Sequence, residues 1–157
     1  MRGFTLVEVL VVAGIFAALL SFVMPNLTGN QRHTQNNEAI ALLVADMRDQ
    51  QMKAMLGDTE GQSVSTSSGI YFETTRYTLF RGNTYSAVDN RNYVISLDPQ
   101  FQFTATNLPS SQVVFTEGSG EVSNFVNDTY SITLSDTQSG NSQVITINKY
   151  GVVQSVN

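Results

Sequence analysis

A single ionised side chain, Glu8, interrupts the apolar opening of this chain, the stretch FTLVEVLVVAGIFAALLSFVM from Phe4 to Met24. A carboxylate at the centre of a membrane helix costs on the order of 2.5–3.5 kcal/mol, and less near the helix end, so it needs a partner or a purpose. The preceding residues, Met1-Arg2-Gly3, offer one. Cleavage after Gly3 would place a cationic amine on Phe4, one helical turn from Glu8, and give the buried carboxylate an opposite charge. Beyond that pair the chain is poor in reactive groups. It has no cysteine and one histidine, which excludes thiol catalysis, disulfide frameworks, thiolate zinc sites and iron–sulfur clusters. A triad hydrolase or a histidine metal centre would have to use His33, which sits among Arg32, Thr34 and Gln35 in a polar joint. No nucleophile and no ligand-spaced carboxylates accompany it, so it reads as a solvated linker residue. Asp128 and Asp136 are conceivable calcium ligands in outer loops, but without Asp-x-Asp spacing they read as turn residues. No catalytic, metal or cofactor site emerges, and the chain is not read as an enzyme.

Composition points the same way. Charged residues make up 13% of the 157 residues, against about 25% in an ordinary soluble domain. Uncharged polar residues take their place, which suits an exported protein. The net charge of −5 and the eight scattered Lys and Arg residues give no broad surface for nucleic acid, which needs clustered cations. The length allows one modest outer domain.

Phe4 to Met24, 21 residues, would reach about 31 Å as a helix, enough for a bilayer core of about 30 Å. A cleavable secretory signal would end in a small-residue cleavage site, whereas Met24, Pro25 and Asn26 follow here. A plain single-pass anchor, oriented by Arg2 with the bulk of the chain outside, explains the length but not Glu8.

Met1-Arg2-Gly3 followed by FTLVEVLVV resembles the leader and processing site of type IV prepilins and type II secretion pseudopilins. The resemblance implies that a membrane prepilin peptidase and methyltransferase cuts between Gly3 and Phe4 and methylates the new amine of Phe4. It implies that Glu8 neutralises the amine of a neighbouring subunit during filament assembly. Gly14 and Pro25 match a small-residue position and a helix-breaking position of such helices. The partners implied are other pilin or pseudopilin subunits, an inner-membrane assembly platform and a separate ATPase motor, because this chain has no nucleotide-binding loop.

The stretch Pro25, Asn26, Thr28, Gly29 and Asn30 is poor in helix formers and predicts a break or soft joint. From Glu38 to Leu56 the periodicity is helical, and Gly57 closes it. Ile40, Leu43, Val44, Met47, Gln51 and Ala54 form one stripe, expected to bury against a sheet. Leu42, Ala45, Met52 and Leu56 gather on another side around Asp49, and read as a surface for neighbouring helices. Beyond the loop GDTEGQSVSTSS the period changes to two. Strands are predicted at 69–74, 76–81, 92–97, 100–106, 112–116, 129–135, 143–149 and 152–156, with turns at 81–83, 98–99, 118–120, 139–141 and 150–151.

The expected architecture is α+β: a long N-terminal helix, membrane-spanning and then amphipathic, on an antiparallel sheet or two-sheet domain, the pilin fold. Its parts are a leader (1–3), an assembly helix (4–25), an amphipathic second half (26–57) and an outer β domain (58–157). The phrases GIYFETTRYTLFRGNTY, QVVFTEGSGEV and QVITINKYGVV resemble the H-type, or FimT-like, minor pilin branch. Some relatives there bind DNA through basic residues near the last hairpin. Here Lys149 is the only cation near Gly151, so DNA binding is not expected. The function implied is a minor pilin or pseudopilin, in the inner membrane before assembly and in a surface pilus or periplasmic pseudopilus afterwards. The alternative is an anchored outer β domain that binds a ligand and never polymerises.

Overall fold

The computed structural model describes residues 5–59, 61, 64–123, 125–126 and 130–156, and the side chains of these outside residues 21–36. It is an α+β chain whose described residues divide into two compact units, residues 1–38 and 39–157. Helix α1 (Leu6–Leu56) contributes to both. Its backbone is helical through Pro25, Asn26, Thr28, Gly29 and Asn30, where composition predicts a soft joint. Among the described residues no helix is long and apolar enough to cross a membrane. The span from Phe4 to Met24 includes residues outside that description.

The second unit begins with the end of α1, and Gly57 stops the helix by its geometry. At φ +64° it takes the left-handed conformation that glycine adopts at no cost. The Gly57 N–H then donates to Ala54 O at 3.3 Å and the Asp58 N–H to Lys53 O at 2.9 Å, the paired bonds of a Schellman cap that satisfy the last carbonyls.

Eight strands follow: β1 (Ser68–Glu73), β2 (Arg76–Arg81), β3 (Tyr93–Ser96), β4 (Phe101–Asn107), β5 (Gln112–Phe115), β6 (Ser131–Asp136), β7 (Ser142–Ile147) and β8 (Val153–Val156). They pair antiparallel into two four-stranded sheets, β3-β2-β1-β5 and β4-β6-β7-β8. In the first sheet Ser68, Ile70 and Phe72 stand opposite Arg81, Leu79 and Tyr77, while Gly69 and Tyr71 oppose Phe80 and Thr78. Side chains alternate along a strand, so these are its two faces. The outward face is covered from within the chain: Tyr71 stacks on Tyr85 at 4.0 Å, and Phe80 lies where a Cβ on Gly69 would stand, 2.7 Å away.

The inner faces of both sheets and one stripe of α1 share a core. Ile40, Leu43, Met47 and Ala54 come from the helix, Ile70, Phe72 and Tyr77 from the first sheet, and Phe101, Phe103, Ile132, Leu134, Ile145 and Ile147 from the second. Phe72 meets Phe103 edge to face at 5.3 Å, a geometry that the ring quadrupoles favour. The helix stripe differs from the sequence expectation at one place. Gln50 is buried, 4% exposed, whereas Gln51 is half-buried at the margin. There Gln51 is useful: its Nε2 donates to Gly120 O at 2.9 Å and to Tyr150 O at 2.6 Å, joining the helix to two distant turns.

Candidate functional site

The residues singled out at the N-terminus are placed by the first turn of α1. Thr5 stands before the helix and Glu8 is its third residue. The Glu8 N–H donates to Thr5 Oγ1 at 3.3 Å, and the Thr5 N–H donates to Glu8 Oε2 at 3.4 Å. The Thr5 hydroxyl also reaches Glu8 Oε2 at 3.4 Å. This reciprocal pair is a capping box, which satisfies otherwise orphaned donors at a helix start and places a negative charge at the positive end of the helix dipole. Its signature, Thr-x-x-Glu before an apolar run, is legible in the sequence as a helix start, and Thr5 is the residue that reading the carboxylate alone misses. All three bonds end on Oε2 or on Thr5, and none uses Oε1. The Thr5 N–H belongs to the Phe4–Thr5 peptide bond, so the box would survive cleavage after Gly3. Gly3 and Phe4 themselves lie outside the described residues.

Around this polar start the helix is apolar on every side. Leu6, Leu10, Phe16 and Leu19 are all more than half exposed, as are Val7, Val9, Val11 and Ile15. Exposed apolar surface of this extent marks a membrane or protein contact, and a helix hydrophobic all round belongs inside one or the other. A Cβ added at Gly14 would meet nothing within 4 Å, so Gly14 is not required by the chain's own packing. Pro25 and His33 lie in α1 among the residues whose side chains are not described.

In the second unit, Leu42, Met52 and Leu56 point away from the core at 53%, 55% and 77% exposure, and Met55 joins them at 53%. Asp49 among them pairs with Lys53 at 3.3 Å. The sequence expectation of a second apolar face holds, with Met55 added.

The other candidates are occupied by local structure. Asp136 ends β6 and ties down the turn that follows: its Oδ1 accepts the N–H groups of Gln138 at 2.8 Å and Ser139 at 3.2 Å, and its Oδ2 accepts the Ser139 hydroxyl at 2.7 Å. This is the local side-chain bonding for which Asp is favoured in turns. Asp128 lies outside the described residues. Lys149 pairs with Glu121 at 3.3 Å and lies 5.9 Å from the Tyr150 ring centroid. Among the described residues no group of three or more His, Cys, Asp or Glu is placed to hold a metal ion.

The prokaryotic N-terminal methylation motif matches residues 1–24. The type II secretion system core protein G of Escherichia coli (strain K12) is 46% identical over 44 residues, 28% of this chain and 30% of that protein. The core protein G of Vibrio cholerae serotype O1 is 49% identical over 43 residues, 27% of this chain and 30% of that protein. The core protein G of Dickeya chrysanthemi is 46% identical over 44 residues, 28% of this chain and 29% of that protein. The matched stretch thus spans less than a third of the length of these relatives. No solved structure matches the chain. A capped, apolar opening helix and a match to the prokaryotic N-terminal methylation motif coincide in the same residues, so it is in this segment that the chain is similar to proteins carrying that motif.

Proposed function

We propose that this protein is a structural subunit of a type IV pilus or a type II secretion pseudopilus. It would be cut between Gly3 and Phe4 and methylated on Phe4 by a prepilin peptidase and methyltransferase. The observation that carries this reading is the methylation motif at residues 1–24, opening a helix whose side chains are exposed and apolar on all sides. Assembly would bury that surface, first in the inner membrane and then against neighbouring helices. Glu8, held through Oε2 by Thr5, would turn Oε1 toward the Phe4 amine of a neighbour and fix the axial register. An ion pair in apolar surroundings is costly to break once formed, because removing one partner strands the other. Gly14 would allow close approach of a second helix, and Pro25 would let the helix flex. Leu42, Met52, Met55 and Leu56 would extend the contact beyond the membrane. A separate ATPase and a membrane platform would drive the assembly. The strand phrases named above favour the H-type minor branch.

Peptide mass spectrometry on the protein from its native host tests this reading. A methylated peptide beginning at Phe4, enriched in sheared surface or periplasmic filament fractions, is the expected result. An intact Met1 found only in membranes that contain an active peptidase would overturn it and favour an anchored domain that does not polymerise.

A further inference from the structure

On the inner side of the first sheet, beside the end of α1, lies a cavity of about 350 Å³. Lys53, Arg81 and Arg91 line it, three of the chain's eight basic residues, and among the described residues no Asp or Glu does. Its position follows from the register. Arg81 stands opposite Ser68 in β1, and Tyr93 of β3 stands opposite Leu79 of β2, so these four side chains share one face.

Part of the wall is built rather than superficial. Gln50, Ser68 and Arg81 are 4%, 5% and 8% exposed. The Arg81 guanidinium donates from Nη2 to Val64 O at 2.9 Å and from Nη1 to Thr59 O. These are neutral acceptors, and among the described residues no carboxylate pairs with Arg81. A buried charge normally has a counter-ion, and among the described residues this one has only carbonyl dipoles. Lys53 and Arg91 do have carboxylate partners, Asp49 and Asp89. Both of these carboxylates are outside the cavity lining; the partly exposed Lys53–Asp49 pair is of the kind worth little net energy, whereas Arg91 grips Asp89 with two prongs, Nε to Oδ1 at 2.8 Å and Nη2 to Oδ2 at 2.5 Å, so a ligand acid competes with Asp89 for that guanidinium. The rest of the lining, Leu79, Phe80 and the Tyr93 ring, is largely apolar.

We propose that this cavity binds an organic carboxylate, with the acid group against Arg81, Arg91 and Lys53 and the carbon skeleton against Leu79 and Tyr93. Guanidinium groups offer a planar fork of donors that fits a carboxylate in two bonds. The volume falls within the ordinary range for small-ligand pockets and exceeds what a lone inorganic anion fills. The acid can be a free small molecule or the terminal or side-chain carboxylate of a peptide, since the recognising chemistry is the same. The site does not depend on filament assembly.

The test is a titration of the full-length protein in detergent micelles, followed by the NMR signals of the arginine Nε–H groups. The probes are 3-phenylpropionate, a short acetylated peptide ending in Phe with a free carboxylate, the amides of both, and inorganic phosphate. Saturable shifts at Arg81 and Arg91 with the two acids, and none with the amides, are expected. Tighter binding of the peptide than of 3-phenylpropionate would identify a protein partner as the source, and the reverse a metabolite. Arg81→Gln endangers the fold by removing a buried anchor, so Lys53→Gln and Arg91→Gln serve as the working variants. Each is expected to weaken binding about tenfold, the loss of one charge-assisted bond. Equal shifts with acids and amides, no saturation, phosphate binding as tightly as the acids, or unchanged affinity in both variants would each overturn the proposal.

Discussion

Glu8 would serve two states under the proposed function. In the single chain its carboxylate closes a capping box with Thr5, and in the proposed filament it would also meet an amine. Glu8→Ala is expected to leave insertion into the membrane intact while reducing incorporation into filaments, read as the ratio of sheared to membrane-bound protein. Unchanged incorporation would remove the register mechanism. In the second unit the corresponding single-residue test is Tyr77. It is 1% exposed, and its hydroxyl donates to Asp46 Oδ2 at 2.5 Å, which ties the helix to β2. Burial first, and then the bond to Asp46, push the phenol far above its ordinary range. A folded-state pKa above the unfolded one gives stability that is complete below the unfolded value and is lost progressively as pH rises from there through the folded-state value. Denaturant midpoints should therefore hold near neutrality and fall above about pH 10. Tyr77→Phe should cost about 1–2 kcal/mol near neutrality and flatten that alkaline fall.

Among the elements, the turns that receive the helix are where small changes should be felt most. Gly120 and Gly151 have φ of +66° and +72°. A Cβ on Gly120 would lie 2.4 Å from Met55 Cγ, and one on Gly151 would lie 2.7 Å from Phe115 Cε1. Gly140 has the same backbone conformation, φ +73°, but open space around it. The substitution Gly140→Ala thus isolates backbone strain, about 1 kcal/mol. Gly151→Ala adds overpacking against a buried ring and should cost a further 1–3 kcal/mol or so, measured by chemical denaturation. Gln51→Ala should cost about 1–3 kcal/mol, because two carbonyls in different turns lose their donor at once. The chain uses one uncharged side chain where two separate contacts would otherwise be needed.

At the scale of the whole molecule the apolar surface is more than the fold uses. One stripe of α1 is consumed by the core, while Leu42, Met52, Met55 and Leu56 stay exposed. Replacing Leu42 and Met52 together by Gln should change folding stability by no more than about 0.5 kcal/mol, as for surface positions generally. The same double substitution should lower the filament fraction, because the exposed stripe is assigned to contacts between subunits. A matching loss of stability would instead place these residues in the fold. The proposed processing at Gly3 would act at this scale as well, since removing Arg2 would make an acidic chain more acidic and leave Phe4 with the amine that Glu8 is proposed to meet.

The sequence alone determined whatever is written in local order. The apolar run with Glu8 at its start, the switch from a period of 3.6 to a period of two, and Gly57 as helix stop each depend on a few neighbouring residues. β2 lies at its predicted residues, 76–81, and the other strands lie within about two residues of theirs. Composition at residues 25–30 predicts a joint where the backbone is helical, since propensity is a weak prior. Tertiary structure decided what depends on distant partners. That β5 returns to β1, while β4 joins β6 to open a second sheet, follows from hydrogen bonding between segments far apart in the chain. That Gln50 is buried while Gln51 reaches across to Gly120 and Tyr150 turns on a rotation of about 100° between neighbours on a helix. The convergence of Lys53, Arg81 and Arg91 on one cavity has no local signature, because each residue comes from a different element and only the packing of those elements brings the charges together.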